Sequence, residues 1–323
     1  MGEIGGYLEL VANNGTEYHS DLMRFNTARN CILFCTLTRK YSKVYIPFYL
    51  CNSISKLFDD NKISYEYFEI SEDFKPVETF KVKSDECLLL VNYYGQLTNE
   101  DIREYKDKFN IIVDNTQSFF QYPVKNVDTV YSCRKYFGVA DGAYLNIQDD
   151  NSNIKYNRLE IDLSFNRMTH ILGRFETTAS EHFSSFRGNE ELLADLPIRK
   201  MSRLTQNILN GLNYNEIKRK RIMNYKVLES KLGKINQLKP LNFAGLFMYP
   251  LLLENGYKLK DELIKEKIYV PTLWDNVLAI TNKESISHEY AKNIIPLPID
   301  QRYNENDMLR IIECIGLILR IEF

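Results

Sequence analysis

Two short stretches of this chain carry residues that can do chemistry together. Asp114-Asn115-Thr116-Gln117 follows the strand-like run Asn110 to Val113, and Ser132-Cys133-Arg134-Lys135 follows a second run, Val127 to Tyr131. In an open α/β sheet, ligands bind in the crevice outside the carboxyl ends of the strands. This spacing can therefore set a carboxylate, an amide and a lysine on one rim. A lysine amine forms a Schiff base with an aldehyde, and a carboxylate pairs with a pyridinium nitrogen. Together they are the minimum set for pyridoxal 5'-phosphate (PLP). Each residue taken alone also reads as an ordinary strand end, because motifs this short have little specificity.

The flanking elements suit such a rim. Asn26 or Thr27 reads as the N-cap of a helix that runs into the apolar stretch Cys31 to Leu37. Lys43 to Pro47 reads as a strand, Asn52 to Asp59 as a helix, and Ser64 to Ile70 as a strand. Cys87 to Tyr93 is a continuous apolar run, the pattern of a strand buried on both faces. Asn99 to Phe109 is a charged amphipathic helix, and Ala143 to Ile147 another strand. Alternating strands and helices over the first 150 residues predict a mostly parallel sheet with helices on both faces. From Leu163 to Leu232 the pattern is helical. Beyond it, Leu246 to Leu253, Ile268 to Val270 and Ile294 to Pro298 read as strands, with helices over Lys258 to Lys267 and Glu305 to Leu319. We divide the chain at residues 1–214, a large α/β domain, and 215–323, a smaller α+β domain.

Composition narrows the function classes. The chain has 323 residues, 44% hydrophobic, and a net charge of -2, which argues against a nucleic-acid binder. The basic run Ile217-Lys218-Arg219-Lys220-Arg221 reads as a solvated helix face, because Glu216 and Glu229 flank it. Cysteines at 31, 35, 51, 87, 133 and 314 form no CxxC pair, and with His at 19, 170, 182 and 288 they give no metal-ligand spacing. They read as reduced thiols of a cytoplasmic protein. Met1-Gly2-Glu3-Ile4-Gly5-Gly6 lacks the basic and apolar regions of a signal peptide, and no apolar run reaches the ~20 residues that cross a bilayer.

Taken in order, several segments resemble the DegT/DnrJ-type sugar aminotransferases, a branch of the fold type I PLP enzymes. Phe25-Asn26-Thr27-Ala28-Arg29-Asn30 resembles the family's small-residue turn into a helix. Val91-Asn92-Tyr93-Tyr94-Gly95-Gln96 resembles its aromatic-Gly-Gln turn. Asp114 and Gln117 match its Asp-x-x-Gln, and Ser132, Lys135 and Asp141-Gly142 resemble its Ser, Lys and Gly-Asp-Gly run. Tyr249-Pro250, Val270-Pro271-Thr272-Leu273-Trp274 and Leu297-Pro298-Ile299-Asp300-Gln301 are similar to its small domain and C-terminal end.

The resemblance implies a seven-stranded-type central sheet and PLP bound to Lys135. Asp114 would sit on the ring nitrogen and Gln117 on the phenolic oxygen, with the phosphate on Ala28, Arg29, Asn30 and Ser132. It implies a homodimer that moves an amino group from an amino acid, glutamate foremost, to a keto sugar, nucleotide-linked, in amino-sugar or surface-polysaccharide biosynthesis. Three positions depart from the family. Cys51 stands near the place of a ring-stacking aromatic, which Tyr93 or Tyr94 could supply instead. Ile198 stands where an Asn from the partner subunit is expected, and the stretch Phe183 to Met201, with Arg187, Arg199 and Lys200, is the candidate for crossing over. The spacing from Lys135 to Asp141-Gly142 is one residue short. Alternatives are a PLP enzyme acting on a non-sugar substrate and a non-catalytic regulatory protein on the same scaffold. Lys135 counts against a sugar dehydratase, whose relatives carry His there.

Overall fold

The computed structural model describes residues 4–238 and 245–322. The larger unit runs β1 (Met23–Phe25), α1 (Ala28–Arg39), β2 (Lys43–Pro47), α2 (Ser53–Asp60), β3 (Ser64–Phe68), β4 (Glu86–Val91), α3 (Asn99–Lys108), β5 (Ile111–Asp114), β6 (Asp128–Ser132) and β7 (Ala143–Asn146). A helical stretch follows: α4 (Asp150–Asn157), α5 (Thr169–Glu176), α6 (Phe183–Ala194), α7 (Arg203–Asn210) and the long α8 (Tyr214–Leu232). The remainder is β8 (Tyr249–Leu252), α9 (Gly256–Lys265), α10 (Asp275–Ile280), α11 (Ile286–Asn293), β9 (Ile294–Leu297) and α12 (Glu305–Leu319).

Seven strands form one sheet in the order β1-β7-β6-β5-β4-β2-β3. The five from β3 to β6 are parallel, and β7 and β1 are antiparallel additions at one edge. Parallel pairing needs crossovers, and α2 and α3 supply them between β2 and β3 and between β4 and β5. The central position of β4 explains its sequence: all six residues, Glu-Cys-Leu-Leu-Leu-Val, are buried. Helix α3 begins with a capping box between Thr98 and Asp101. At the far end of α1, Arg39 makes two 2.8 Å bonds to the carboxylate of Asp128, which pins the helix to the start of β6.

Two departures from the sequence reading have physical causes. Strand β1 is only three residues long and pairs with β7 rather than with a neighbour in sequence, so no period announces it. Ile268 to Val270 forms no strand; the small sheet among the described residues is β8 with β9 alone, Tyr249 opposite Leu297. The described residues form two hydrophobic cores, and α8 belongs to both: Tyr214 and Ile217 pack in the larger, Tyr225, Leu228 and Leu232 in the smaller. The boundary proposed from sequence thus falls at the start of a shared helix. No helix among the described residues is long and apolar enough to cross a membrane.

Candidate active site

Strand register sets the rim. Asp114, the last residue of β5, pairs with Val130 of β6, and β6 ends two residues later at Ser132. The carboxylate, the hydroxyl and the loop that carries Lys135 therefore leave the sheet on the same edge. Asp114 is 6% exposed. One of its oxygens accepts the Thr116 N–H (2.9 Å), and the other has no hydrogen bond among the described residues. Gln117, also buried, accepts the Tyr94 N–H at its side-chain oxygen (2.9 Å). That bond turns the amide NH2 the other way, where no described residue accepts it. The Ser132 hydroxyl is likewise unengaged.

The helix α1 completes this edge. Thr27, in extended conformation (φ -140°, ψ 152°), caps it by accepting the Asn30 N–H (3.2 Å). The Ala28 and Arg29 N–H groups bond no described residue and carry the positive end of the helix dipole, the ordinary setting for a phosphate. Arg29 is partly buried, and burial lowers its pKa, with Cys51 and Asp195 acting in the opposite sense. Asn30 does not share the role expected of it. Its N–H is held by Thr27, and its amide donates to Asn26 Oδ1 (3.0 Å) and to the carbonyls of Leu196 (3.1 Å) and Pro197 (3.0 Å). It positions the turn and has no donor left for a ligand.

Asn26 ties three segments together. Its carbonyl accepts the Gly142 N–H (2.6 Å), its own N–H donates to Arg199 O (3.0 Å), and its amide donates to Pro197 O (3.0 Å). Asp141 extends the tie, accepting from Ser202 N–H and Oγ (2.8 Å each) and from the Thr205 hydroxyl. The turn into α1, the loop after Lys135 and the strap 196–202 are thus one hydrogen-bonded unit. Within that strap Ile198 packs against its own chain's larger core. Arg199 faces Glu160 (3.4 Å) and Asp162 (3.6 Å), and Lys200 donates to Asn157 O (3.1 Å). These partners lie in the same chain.

Lys135 lies partly buried on the loop after β6. Its Nζ stands 5.2 Å from the ring centre of Phe247 and 5.9 Å from that of Trp274, and no described residue accepts a hydrogen bond from it. Burial lowers its pKa, Asp114 and then Cys51 pull it back up, and Arg134 pushes it down again. The ring faces offset part of the cost of a charged amine here, but burial has the larger effect. Cys51 is close enough to both Arg29 and Lys135 to raise the pKa of each. Tyr93 and Tyr94 are 1% and 2% exposed, so neither offers an open ring face.

Three site residues escaped the sequence reading of roles. Phe247 and Trp274 wall the lysine, although Trp274 stood in a segment already noted. Arg221 is the third: Lys218, Arg219 and Lys220 face solvent as expected, but Arg221 is 1% exposed. Its guanidinium stacks 4.7 Å from the Tyr136 ring centre and donates to Leu246 O (2.7 Å), Tyr136 O (3.1 Å) and Gln301 Oε1 (2.8 Å). It holds the segment with Phe247 against the lysine loop. The same segment closes on the turn after β4, where Gly95 has φ +75° and an added Cβ would stand 2.2 Å from the Gly245 backbone. Only glycine fits there.

The unengaged groups fit PLP. The inventory on this edge is a carboxylate oxygen, an amide NH2, a hydroxyl, two helix N–H groups and an amine biased toward its neutral form. Each has a complement on the cofactor.

No family model matches the chain, and no curated protein matches it by sequence. Solved structures do. Sugar aminotransferase CalS13 from Micromonospora echinospora is 12% identical, covering 92% of this chain and 87% of its own, with a TM-score of 0.63. A DegT DnrJ EryC1 StrS aminotransferase from Brucella abortus is 15% identical, with coverage of 92% and 85% and a TM-score of 0.63. The PLP form of the putative sugar aminotransferase Spr1654 from Streptococcus pneumoniae is 10% identical, with coverage of 92% and 86% and a TM-score of 0.63. This chain has the fold of the DegT/DnrJ-type sugar aminotransferases across nearly its whole length.

Proposed function

We propose that the protein is a PLP-dependent aminotransferase. It moves an amino group from an amino acid, glutamate foremost, to a keto sugar carried on a nucleotide, in amino-sugar or surface-polysaccharide biosynthesis. The observation that carries this reading is the convergence of Lys135 with Asp114, Gln117, Ser132 and the α1 N-terminus, in a fold that holds PLP in Spr1654.

When bound, PLP supplies an electron sink and a carrier for the amino group. Lys135 would hold it through Nζ. The same amine would take and return the proton at the reacting carbon, a task its lowered pKa suits. Asp114 would hold a proton on the ring nitrogen, Gln117 would donate to the phenolic oxygen, and Ser132 with the Ala28 and Arg29 N–H groups would hold the phosphate. Phe247 and Trp274 exclude water from the amine.

We also propose a cytoplasmic homodimer. All six cysteines are free thiols, as suits a reducing compartment. Between Ile161 and Leu192 the chain leaves large apolar side chains uncovered, among them Leu163 (72% exposed), Phe175 (91%), Phe183 (57%) and Leu192 (62%). Monomeric surfaces seldom leave such a stretch open.

The deciding experiment is an absorption spectrum of the purified protein with added PLP, before and after glutamate. A visible band that shifts to shorter wavelength on adding glutamate supports transamination. A band that glutamate and other amino acids leave unmoved overturns it, and no band at all favours the regulatory alternative.

A further inference from the structure

Two apolar surfaces of this chain lie open, and one helix carries both. The first is the segment from Ile4 to Val11, ahead of β1. Ile4, Tyr7, Leu8, Leu10 and Val11 all face solvent, Tyr7 at 99% and Leu8 at 97% exposure. The base of this arm is nonetheless fixed. The side chain of Asn207, on α7, accepts the Asn13 N–H (2.7 Å) and donates to Val11 O (3.0 Å), and the Asn13 amide donates back to Asn207 O (3.0 Å). Gly15 lies against the end of the same helix, where an added Cβ would stand 2.1 Å from Asn210 O. The chain thus holds the root of the arm and gives its apolar side chains nothing to pack on.

The second surface is a groove of about 300 Å3 at the start of α7, between residues 161–165 and 202–204. Ile161, Leu163 and Phe165 are its exposed apolar wall. Asp162 is engaged by Arg167 (2.7 Å). That leaves exposed Arg203 as the one charge on the groove with no ion pair among the described residues. The arm is its complement. Glu9 is the only charged residue between positions 4 and 16, and it too has no ion pair among the described residues. A lipid surface suits the arm less, because interfacial segments carry Lys and Arg on their polar face.

We infer that the arm 4–11 of one copy lies in the groove of a second copy of this chain, with Glu9 set against Arg203. The inference rests on the homodimer reading and names the element the two copies exchange. Fully extended, the arm spans roughly 25 Å, enough to leave its own chain and lie along a neighbour. Because α7 carries both the clamp and the groove, one two-fold axis near that helix seats both arms at once. A buried tyrosine contributes roughly 150–250 Å2, and two arms together bring on the order of 1,000 Å2 of side chain. That is a large part of the roughly 1,200–2,000 Å2 a stable association buries.

Sedimentation velocity of the full chain over a dilution series reads the dimer dissociation constant. Tyr7→Ser with Leu8→Ser should raise it at least a hundredfold and leave the far-ultraviolet spectrum as it is, since neither side chain packs in the folded monomer. Glu9→Arg and Arg203→Glu should each raise it roughly tenfold by setting like charges together. Mixing those two single variants should bring most of the affinity back, because in the mixed dimer each arm meets a groove of opposite charge. A dimer indifferent to the arm substitutions would overturn the inference and leave the homodimer standing. So would single variants that weaken association and stay weak when mixed, since Glu9 would then not meet Arg203 of another copy. Failure of the homodimer reading looks different: wild type itself sediments as a monomer at micromolar concentration, and the inference falls with it.

Discussion

At the scale of single residues, the site depends on groups whose ionisation the fold has moved. Lys135 has a pKa lowered by burial. Below that value both folded and unfolded chains hold the proton, and the folded state bears the full cost of the buried charge. Between it and the ordinary lysine value only the unfolded chain stays protonated, so stability rises with pH across that window. Lys135→Met should remove that rise in urea melts of the cofactor-free protein as pH approaches the ordinary lysine value, make it more stable below that window, and abolish the PLP band. A band that survives in Lys135→Met would move the cofactor to another amine. His19 shows the same sign at lower pH. Packed among Tyr18, Phe119, Tyr131 and Tyr144, it donates one bond from Nε2 to Phe119 O (2.8 Å), and burial lowers its pKa to about 4. Acidification from pH 6.5 to 4 should therefore cost about 3 kcal/mol from this residue alone. His19→Gln should flatten that part of the pH–stability curve, and an unchanged slope would assign acid sensitivity elsewhere. Asp114, Gln117, Ser132 and Lys135 were legible in sequence because each sits within three residues of the end of its own strand. Arg221 was not. Its neighbours Lys218, Arg219 and Lys220 are solvated, and its partners at Tyr136, Leu246 and Gln301 come from distant parts of the chain.

At the scale of elements, the turn proposed for the phosphate is a helix N-terminus whose capping is complete without any ligand. Thr27 and Asn26 satisfy the turn's internal needs, and Ala28 and Arg29 keep N–H groups to spare. Ala28 is the first helical residue, where proline is best tolerated, and the extended Thr27 before it already has the backbone that a following proline requires. Ala28→Pro should keep the melting behaviour close to wild type while removing one N–H from the phosphate. The expected loss in PLP affinity is roughly tenfold, on the order of one charge-assisted hydrogen bond, read from the absorption band during PLP titration. Wild-type affinity in that variant would place the phosphate at another turn. The helices and buried parallel strands of the larger unit could be read from period and capping residues. The antiparallel edge could not, because β1 offers three residues and its partner β7 comes more than a hundred positions later. Nor could the absence of a strand at Ile268 to Val270, where Ile268 and Tyr269 line a cavity instead of joining a ladder.

At the scale of the whole molecule, the uncovered apolar residues between Ile161 and Leu192 are the surface to test. Leu163→Asp with Phe183→Asp should convert a dimer into a monomer in sedimentation velocity at micromolar concentration, while leaving the far-ultraviolet spectrum unchanged. If wild type is itself a monomer with full activity, the shared-site expectation fails along with the dimer. The strap 196–202 argues for a particular division of labour within that dimer. Ile198, Arg199 and Lys200 are all committed to their own chain, so a partner's contribution to the site would have to come from elsewhere, with exposed Arg187 on α6 a candidate.

The chain contains a single tryptophan, and it is the one that walls the lysine. Trp274 stands edge-on to Tyr49 at 5.3 Å, and the chain's 22 tyrosines and 18 phenylalanines are silent when the indole alone is excited. The protein therefore carries its own optical probe at the place where chemistry is proposed. A pyridoxal chromophore within a few ångströms would drain that emission by energy transfer, and occupancy could be followed at nanomolar protein with no label. The same light would report a change at the base of α10, because Trp274 lies in the segment that leads into it and Asn276 anchors that helix to Leu50 O at 2.9 Å.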